Sequence, residues 1–141
     1  MDNDIILSAD SVALFCRLQM NMKRELPIRP SEMGVLIFTQ QHNLPVTPLM
    51  ISNFFKITKP SVTTMINSLV KNKYLEKIPS QTDGRSYILS TTKLGSEIVA
   101  ATYNEYFRTM ELLKKEMGED EFHNLISLIQ KANIILSKEK E

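Results

Sequence analysis

The sequence predicts a mainly α chain with one small β-hairpin, an α+β class in which helices dominate. Three observations carry this. Apolar residues recur at three- and four-residue spacing through most of the chain, the pattern of helices that bury one face. Thr47-Pro48 and Pro60 stand as helix-start signals, with proline where a missing N–H costs nothing. Between Asn72 and Thr91 the helical pattern gives way to two strand-like runs about the turn Gln81-Thr82-Asp83-Gly84-Arg85.

At 141 residues the chain suits one domain, since domains commonly hold roughly 100–150. No apolar run approaches the about 20 residues that a membrane-spanning helix needs. The acidic start Met1-Asp2-Asn3-Asp4 lacks the basic opening of a signal peptide. A single cysteine, Cys16, excludes an intrachain disulfide framework. These features together point to the cytoplasm.

The first helix is expected from about Ser8 to Glu25, with Ala9, Val12, Ala13, Cys16 and Met20 as its apolar stripe. Pro27 and Pro30 bracket a loop. Ser31 is placed to cap a second helix through Met33, Leu36 and Ile37 toward His42, and Asn43 can end it in the left-handed conformation. The third helix starts at Thr47-Pro48 and turns Ile51, Phe54 and Phe55 to the core. A fourth begins at Pro60, because proline disfavours helical angles at Lys59, and runs to about Asn72. It buries Val62, Met65, Ile66, Leu69 and Val70 while Ser61, Thr63, Thr64, Asn67 and Ser68 fall elsewhere on the cylinder. Asp83-Gly84 is a tight-turn dipeptide, since both residues accept positive φ. The flanking runs do not alternate cleanly. Thr91 or Thr92 then caps a long helix with a stripe from Leu94 through Ile98, Tyr106 and Met110 to Met117. After Gly118, Glu119, Asp120 and Glu121 crowd the start of a last helix, where acidic residues suit the dipole.

Helix, turn, helix and a hairpin tipped by Arg85 is the order of a winged helix-turn-helix, which lays one helix in the DNA major groove. The exposed side of the fourth helix carries short hydroxyls and an amide, which can approach base edges and phosphates closely. Net charge is only +1, yet residues 56–93 hold seven basic residues against two acidic ones. The flanks are net acidic. A basic module between acidic flanks attracts a phosphate backbone locally; a solvated lysine face has the same composition. The terminal helices must bury their stripes against either a partner chain or their own lobe. A homodimer is the economical choice, since two reading heads suit a two-fold DNA site.

The chain resembles the MarR family of winged helix-turn-helix transcription regulators from about Ser8 to Ser137. Thr82-Asp83-Gly84-Arg85-Ser86-Tyr87-Ile88-Leu89-Ser90-Thr91-Thr92-Lys93-Leu94-Gly95 resembles the family's wing signature, Asp-x-Arg, a strand, then a Thr-x-x-Gly helix start. Lys59-Pro60-Ser61-Val62-Thr63-Thr64-Met65-Ile66-Asn67-Ser68-Leu69 is similar to its recognition helix. The resemblance implies one domain over 1–141, with a winged lobe at 31–93 and dimerisation helices at 5–26 and 94–138. It implies a homodimer on a pseudo-palindromic operator in double-stranded DNA, acting as a repressor and released by a small aromatic ligand or by oxidation. Ser61, Thr63, Thr64 and Asn67 would face the major groove, with Lys59 and Lys71 beside them. Arg85 would enter the minor groove, its guanidinium oriented by Asp83. Where the family often has glycine, in the helix-turn-helix turn and after the recognition helix, this chain has Lys56 and Lys73. Asn72 could supply the left-handed residue instead.

Cys16 matches the place where some relatives sense peroxide, but it also sits on the apolar stripe, and the residues favour a buried structural cysteine over a redox sensor. Met20, Met22, Met33 and Phe38 could line a ligand pocket or fill the core. With His42 and His123 as the only histidines, no metal site is expected. No catalytic motif or cofactor-binding loop is evident, so an enzyme is not expected. The alternative reading is a winged-helix protein-interaction module that does not bind an operator.

Overall fold

The computed structural model describes residues 1–21 and 26–139. The chain is mainly helical with one antiparallel hairpin, as the sequence predicts: α1 (Asn3–Asn21), α2 (Pro30–Gln41), α3 (Pro48–Phe55), α4 (Lys59–Lys71), β1 (Leu75–Pro79), β2 (Tyr87–Thr91), α5 (Lys93–Tyr106), α6 (Arg108–Met117) and α7 (Glu119–Lys138). It forms two compact units, residues 25–106 and residues 1–24 with 107–141. No described helix is long and apolar enough to cross a membrane.

The 25–106 unit is the winged lobe. Its core joins Met33 and Leu36 of α2, Ile51 of α3, Val62, Ile66 and Leu69 of α4, Leu75, Leu89 and Val99. Burying each such side chain contributes about 1.5–3 kcal/mol, and this holds α4 with its polar side outward. Val62, Ile66 and Leu69 recur at four and three residues, so one stripe is buried and the opposite side is left to solvent. Phe54 departs from the expected core side of α3. It is 64% exposed, while Ile51 is fully buried; its ring instead lies 4.7 Å from Phe38 at the lobe surface.

Local chemistry fixes the helix ends. Thr47 accepts from the Met50 N–H, and Thr58 accepts from the Ser61 N–H, each capping the helix that follows. Lys59, not Pro60, is the first residue of α4. Helix α2 begins at Pro30 without a side-chain cap, so Ser31 is inside it. Its other end is extended at His42, whose Nδ1 hydrogen-bonds the Phe38 carbonyl, and Asn43 is not left-handed. The two left-handed non-glycine residues are Lys56 (φ 55°) and Lys73 (φ 66°), among the described residues. Asn72, at φ −85°, does not take that role. At Lys73 the chain closes a Schellman motif: Tyr74 N–H donates to Leu69 and Lys73 N–H to Val70. A side chain in this conformation costs roughly 1 kcal/mol, which the two capping bonds and the docked Tyr74 offset.

β1 and β2 pair from Leu75↔Thr91 to Pro79↔Tyr87, and Val46 adds an isolated antiparallel bridge to Leu89. Gly84 does not adopt positive φ, so the tip is not a primed two-residue turn. The asparagine-like chemistry of Asp83 organises it instead. Thr92, not Thr91, caps α5: its hydroxyl accepts from Gly95 N–H at 3.0 Å and reaches the Lys73 carbonyl at 2.7 Å.

The helix expected from residue 94 to 117 is broken at Phe107, which leaves helical angles (φ −94°, ψ 8°). Neither glycine nor proline marks the break. α5 packs on α2 and β2 and clusters with the lobe, which is therefore wider than 31–93.

In the second unit α6 and α7 pack together across Gly118 (φ 88°). α1 starts at Asn3, earlier than Ser8, because Asp2 accepts from the Asp4 N–H; the expected end at Glu25 lies outside the described residues. No residue of α1 or α7 is buried, and Val12, Leu18, Leu128 and Ile134 are each more than half exposed.

Candidate nucleic-acid interface

On α4 the four-residue spacing aligns Lys59, Thr63, Asn67 and Lys71 along one ridge, with Ser61 and Thr64 beside it. All six are exposed. The hydroxyls of Thr63 and Thr64 donate to the carbonyls of Lys59 and Pro60, both at 3.0 Å. Their protons are spent within the helix, so they offer outward a methyl group and oxygen lone pairs. Such a surface suits a thymine methyl or an amino donor. Ser61 is tied to the helix start: its hydroxyl accepts from Thr58 Oγ1 at 3.0 Å. Its own proton is left for another acceptor.

The wing tip is held by one carboxylate. Asp83 Oδ1 accepts from the Arg85 N–H and Oδ2 from the Ser86 hydroxyl, both at 3.0 Å, while Ser86 N–H donates to the Asp83 carbonyl. These bonds favour the charged form. The Arg85 backbone contact first, and the Ser86 hydroxyl second, hold the carboxyl below its ordinary 3.8. Asp83 thus grips the backbone of Arg85 and not, as expected, its guanidinium. Arg85 is exposed at the tip.

Two residues tie the wing to α4. Thr92 reaches back to the carbonyls of Lys73 and Tyr74, the residues that leave α4. Gly95 lies so close to this junction that a Cβ there would stand 2.3 Å from the Tyr74 oxygen. The Thr-x-x-Gly spacing is therefore a cap followed by a close approach.

All seven basic residues of the 56–93 stretch are exposed, so the charge concentration in the sequence is a charge concentration on the lobe surface. One of them was not singled out by sequence reasoning. Lys77 of β1 donates to Asn67 Oδ1 at 2.9 Å, and its ammonium lies 4.9 Å from the Tyr87 ring centroid. The signal was the alternation of the strand, which puts Lys77 on the same face as Leu75.

The remaining candidates divide. Cys16 is exposed, so the buried structural reading of it fails for the single chain. Met33 and Phe38 are core residues, Met20 is exposed and Met22 lies outside the described residues. A groove of about 280 Å³ lies between α3 and α4, lined by Pro48, Leu49, Lys59, Val62 and Thr63. Among the described residues no group of three or more His, Cys, Asp or Glu could hold a metal.

A capped pair of helices with the second one's polar side exposed, followed by a hairpin, defines a winged helix-turn-helix protein. A family model described as MarR family matches residues 26–86. Over 76 residues the chain is 29% identical to the HTH-type transcriptional regulator BilQ of Clostridioides difficile, covering 54% of this chain. The match spans about half of that relative's length, 51%. An HTH-type transcriptional regulator of Mycobacterium tuberculosis is 26% identical over 103 residues, 72% of each chain. In fold the chain is similar to a mutant MarR from Escherichia coli complexed with operator DNA, with TM-score 0.77 and 20% identity over 92% of this chain and 96% of that one. It is likewise similar to a MarR/EmrR family transcriptional regulator from Acinetobacter sp. ADP1, with TM-score 0.79 and 19% identity over 98% and 99%. Over residues 26–86 the chain is similar to the MarR family, and the relatives it matches are transcriptional regulators.

Proposed function

We propose that this protein is a cytoplasmic repressor that binds a pseudo-palindromic operator in double-stranded DNA as a homodimer. The observation that carries the reading is the exposed ridge of α4, with lysines at both ends, fixed beside a wing tipped by Arg85. Lys59 and Lys71 contact phosphates and set the register of α4, while Ser61, Thr63, Thr64 and Asn67 meet base edges in the major groove. Arg85 enters the minor groove, where a narrow electronegative channel favours an arginine. Asp83 keeps the wing tip shaped for that entry. The operator-bound relative of the same fold supports this arrangement.

The apolar residues exposed on α1 and α7 support dimerisation, because apolar faces of this kind mark association surfaces. Release follows from a small aromatic ligand, or from oxidation of the exposed Cys16. Cys16→Ser separates these: it loses release by peroxide and keeps release by ligand.

Fluorescence anisotropy on duplexes flanking the protein's own gene tests the reading. Each phosphate neutralised lowers the slope of log affinity against log salt by about 0.9. A steep slope on one duplex, and weak binding to scrambled duplexes, is expected. Equal, weak binding to every duplex would overturn the proposal.

A further inference from the structure

β1 carries an unusual register. Strand side chains alternate, so Leu75, Lys77 and Pro79 share one face, opposite Thr91, Leu89 and Tyr87. Leu75 and Leu89 on that face belong to the core. Lys77 thus holds a core-side position just where the core ends, and Ile78 on the other face is 42% exposed. This swap is why the flanks of the hairpin do not alternate cleanly.

The ammonium has fixed partners. It donates to Asn67 Oδ1 and sits over Tyr87, its diagonal neighbour on the same face. Lysine offers donors only, so the atom it holds is the carboxamide oxygen, and the orientation of the Asn67 amide follows from that chemistry. The NH2 group keeps both of its donors. An asparagine free to turn reads adenine by donating to N7 and accepting from the N6 amino group. One whose oxygen already accepts from an ammonium keeps both N–H donors and one lone pair, and the cation beside it favours the N7 and O6 acceptors of guanine over the N6 amino donor of adenine.

Building on the DNA-binding reading above, we propose that Lys77 is a positioning residue that sets the base preference of Asn67. It holds the carboxamide so that α4 selects guanine over adenine at the base pair Asn67 meets.

The test selects half-sites from randomised duplexes with the full-length protein, in wild type, Lys77→Met, Asn67→Ala and the double variant. Methionine keeps an aliphatic stem beside Tyr87 at an exposed position and removes the donor. Wild type is expected to prefer guanine at one position per half-site by about fivefold or more, the lower end of discrimination by a good base contact. Lys77→Met shifts that position toward adenine, Asn67→Ala erases the preference, and the double variant matches Asn67→Ala. An unchanged preference in Lys77→Met overturns the proposal, including when its salt slope falls by ~0.9, the mark of a plain phosphate contact. An unchanged preference in Asn67→Ala also overturns it. Wild type that selects no sequence at all is a distinct outcome, which removes the DNA-binding reading itself and this proposal with it.

Discussion

Gly95→Ala probes the junction that fixes the wing beside α4. The new Cβ would stand 2.3 Å from the Tyr74 carbonyl oxygen, 3.2 Å from its carbon and 3.0 Å from Thr91 Cγ2. Ordinary contact begins near 3.4 Å, so the start of α5 or the Tyr74 carbonyl must shift by about 1 Å. Neither is a flexible side chain. The same carbonyl accepts from Thr92 N–H at 3.1 Å and from the Thr92 hydroxyl at 3.2 Å, so the shift loosens both bonds. Overpacking of this kind costs typically 1–3 kcal/mol, and each weakened bond adds about 0.5–1.5 kcal/mol. Alanine returns about 1 kcal/mol of helix propensity. The net expectation is a loss of about 3 kcal/mol, or about 10 °C in melting temperature for a chain of this size. Thermal unfolding by circular dichroism at fixed protein concentration reads it, since association shifts the midpoint. Operator affinity should fall as well, because the wing leaves its place beside α4. An unchanged or raised melting temperature would mean that propensity outweighs the clash, and the close approach would then have no structural role.

Arg85→Ala should weaken operator binding by about 1–3 kcal/mol and leave the melting temperature unchanged; full affinity at physiological salt would remove the wing from recognition. Lys73→Gly relieves a left-handed side chain that costs roughly 1 kcal/mol while adding unfolded-state entropy of about 0.4–1 kcal/mol. Its denaturant midpoint should therefore stay within about 0.5 kcal/mol of wild type, whereas Lys73→Val should lose more than 1 kcal/mol; equal midpoints for the two variants would contradict the left-handed assignment. Asp83 has a folded pKa below 3.8, so its contribution to wing order is present above that value and is lost as pH falls through the lower, folded one. Carboxyl NMR titration should give a midpoint under 3.8; a midpoint at or above it would remove the Arg85 and Ser86 bonds from the tip.

Much of the lobe was legible because its signals are local. Threonine before proline marks the start of α3, and the four- and three-residue spacing of Val62, Ile66 and Leu69 reveals which side of α4 is outward. The missed features depend on tertiary context. Lys56 and Lys73 are left-handed although lysine has no preference for it, because the capping bonds around them outweigh the strain. Asp83-Gly84 looks like a primed turn, yet the carboxylate captures two nearby donors and shapes a wider tip. Lys77 looks like one more surface charge until the pairing register turns it toward Asn67. The break at Phe107 has no punctuating residue. Cys16 lies on an apolar stripe that, in the single chain, faces solvent.

Hydroxyl-radical footprinting of the purified protein on the DNA flanking its own gene, with the assembly state measured by sedimentation, bears on the central claim most directly. Two protected segments related by two-fold symmetry, centred about one helical turn or a multiple of it apart, and two chains per site are expected. A monomer that leaves every segment cleaved evenly would contradict the reading of α4 and the wing as a paired DNA-reading head.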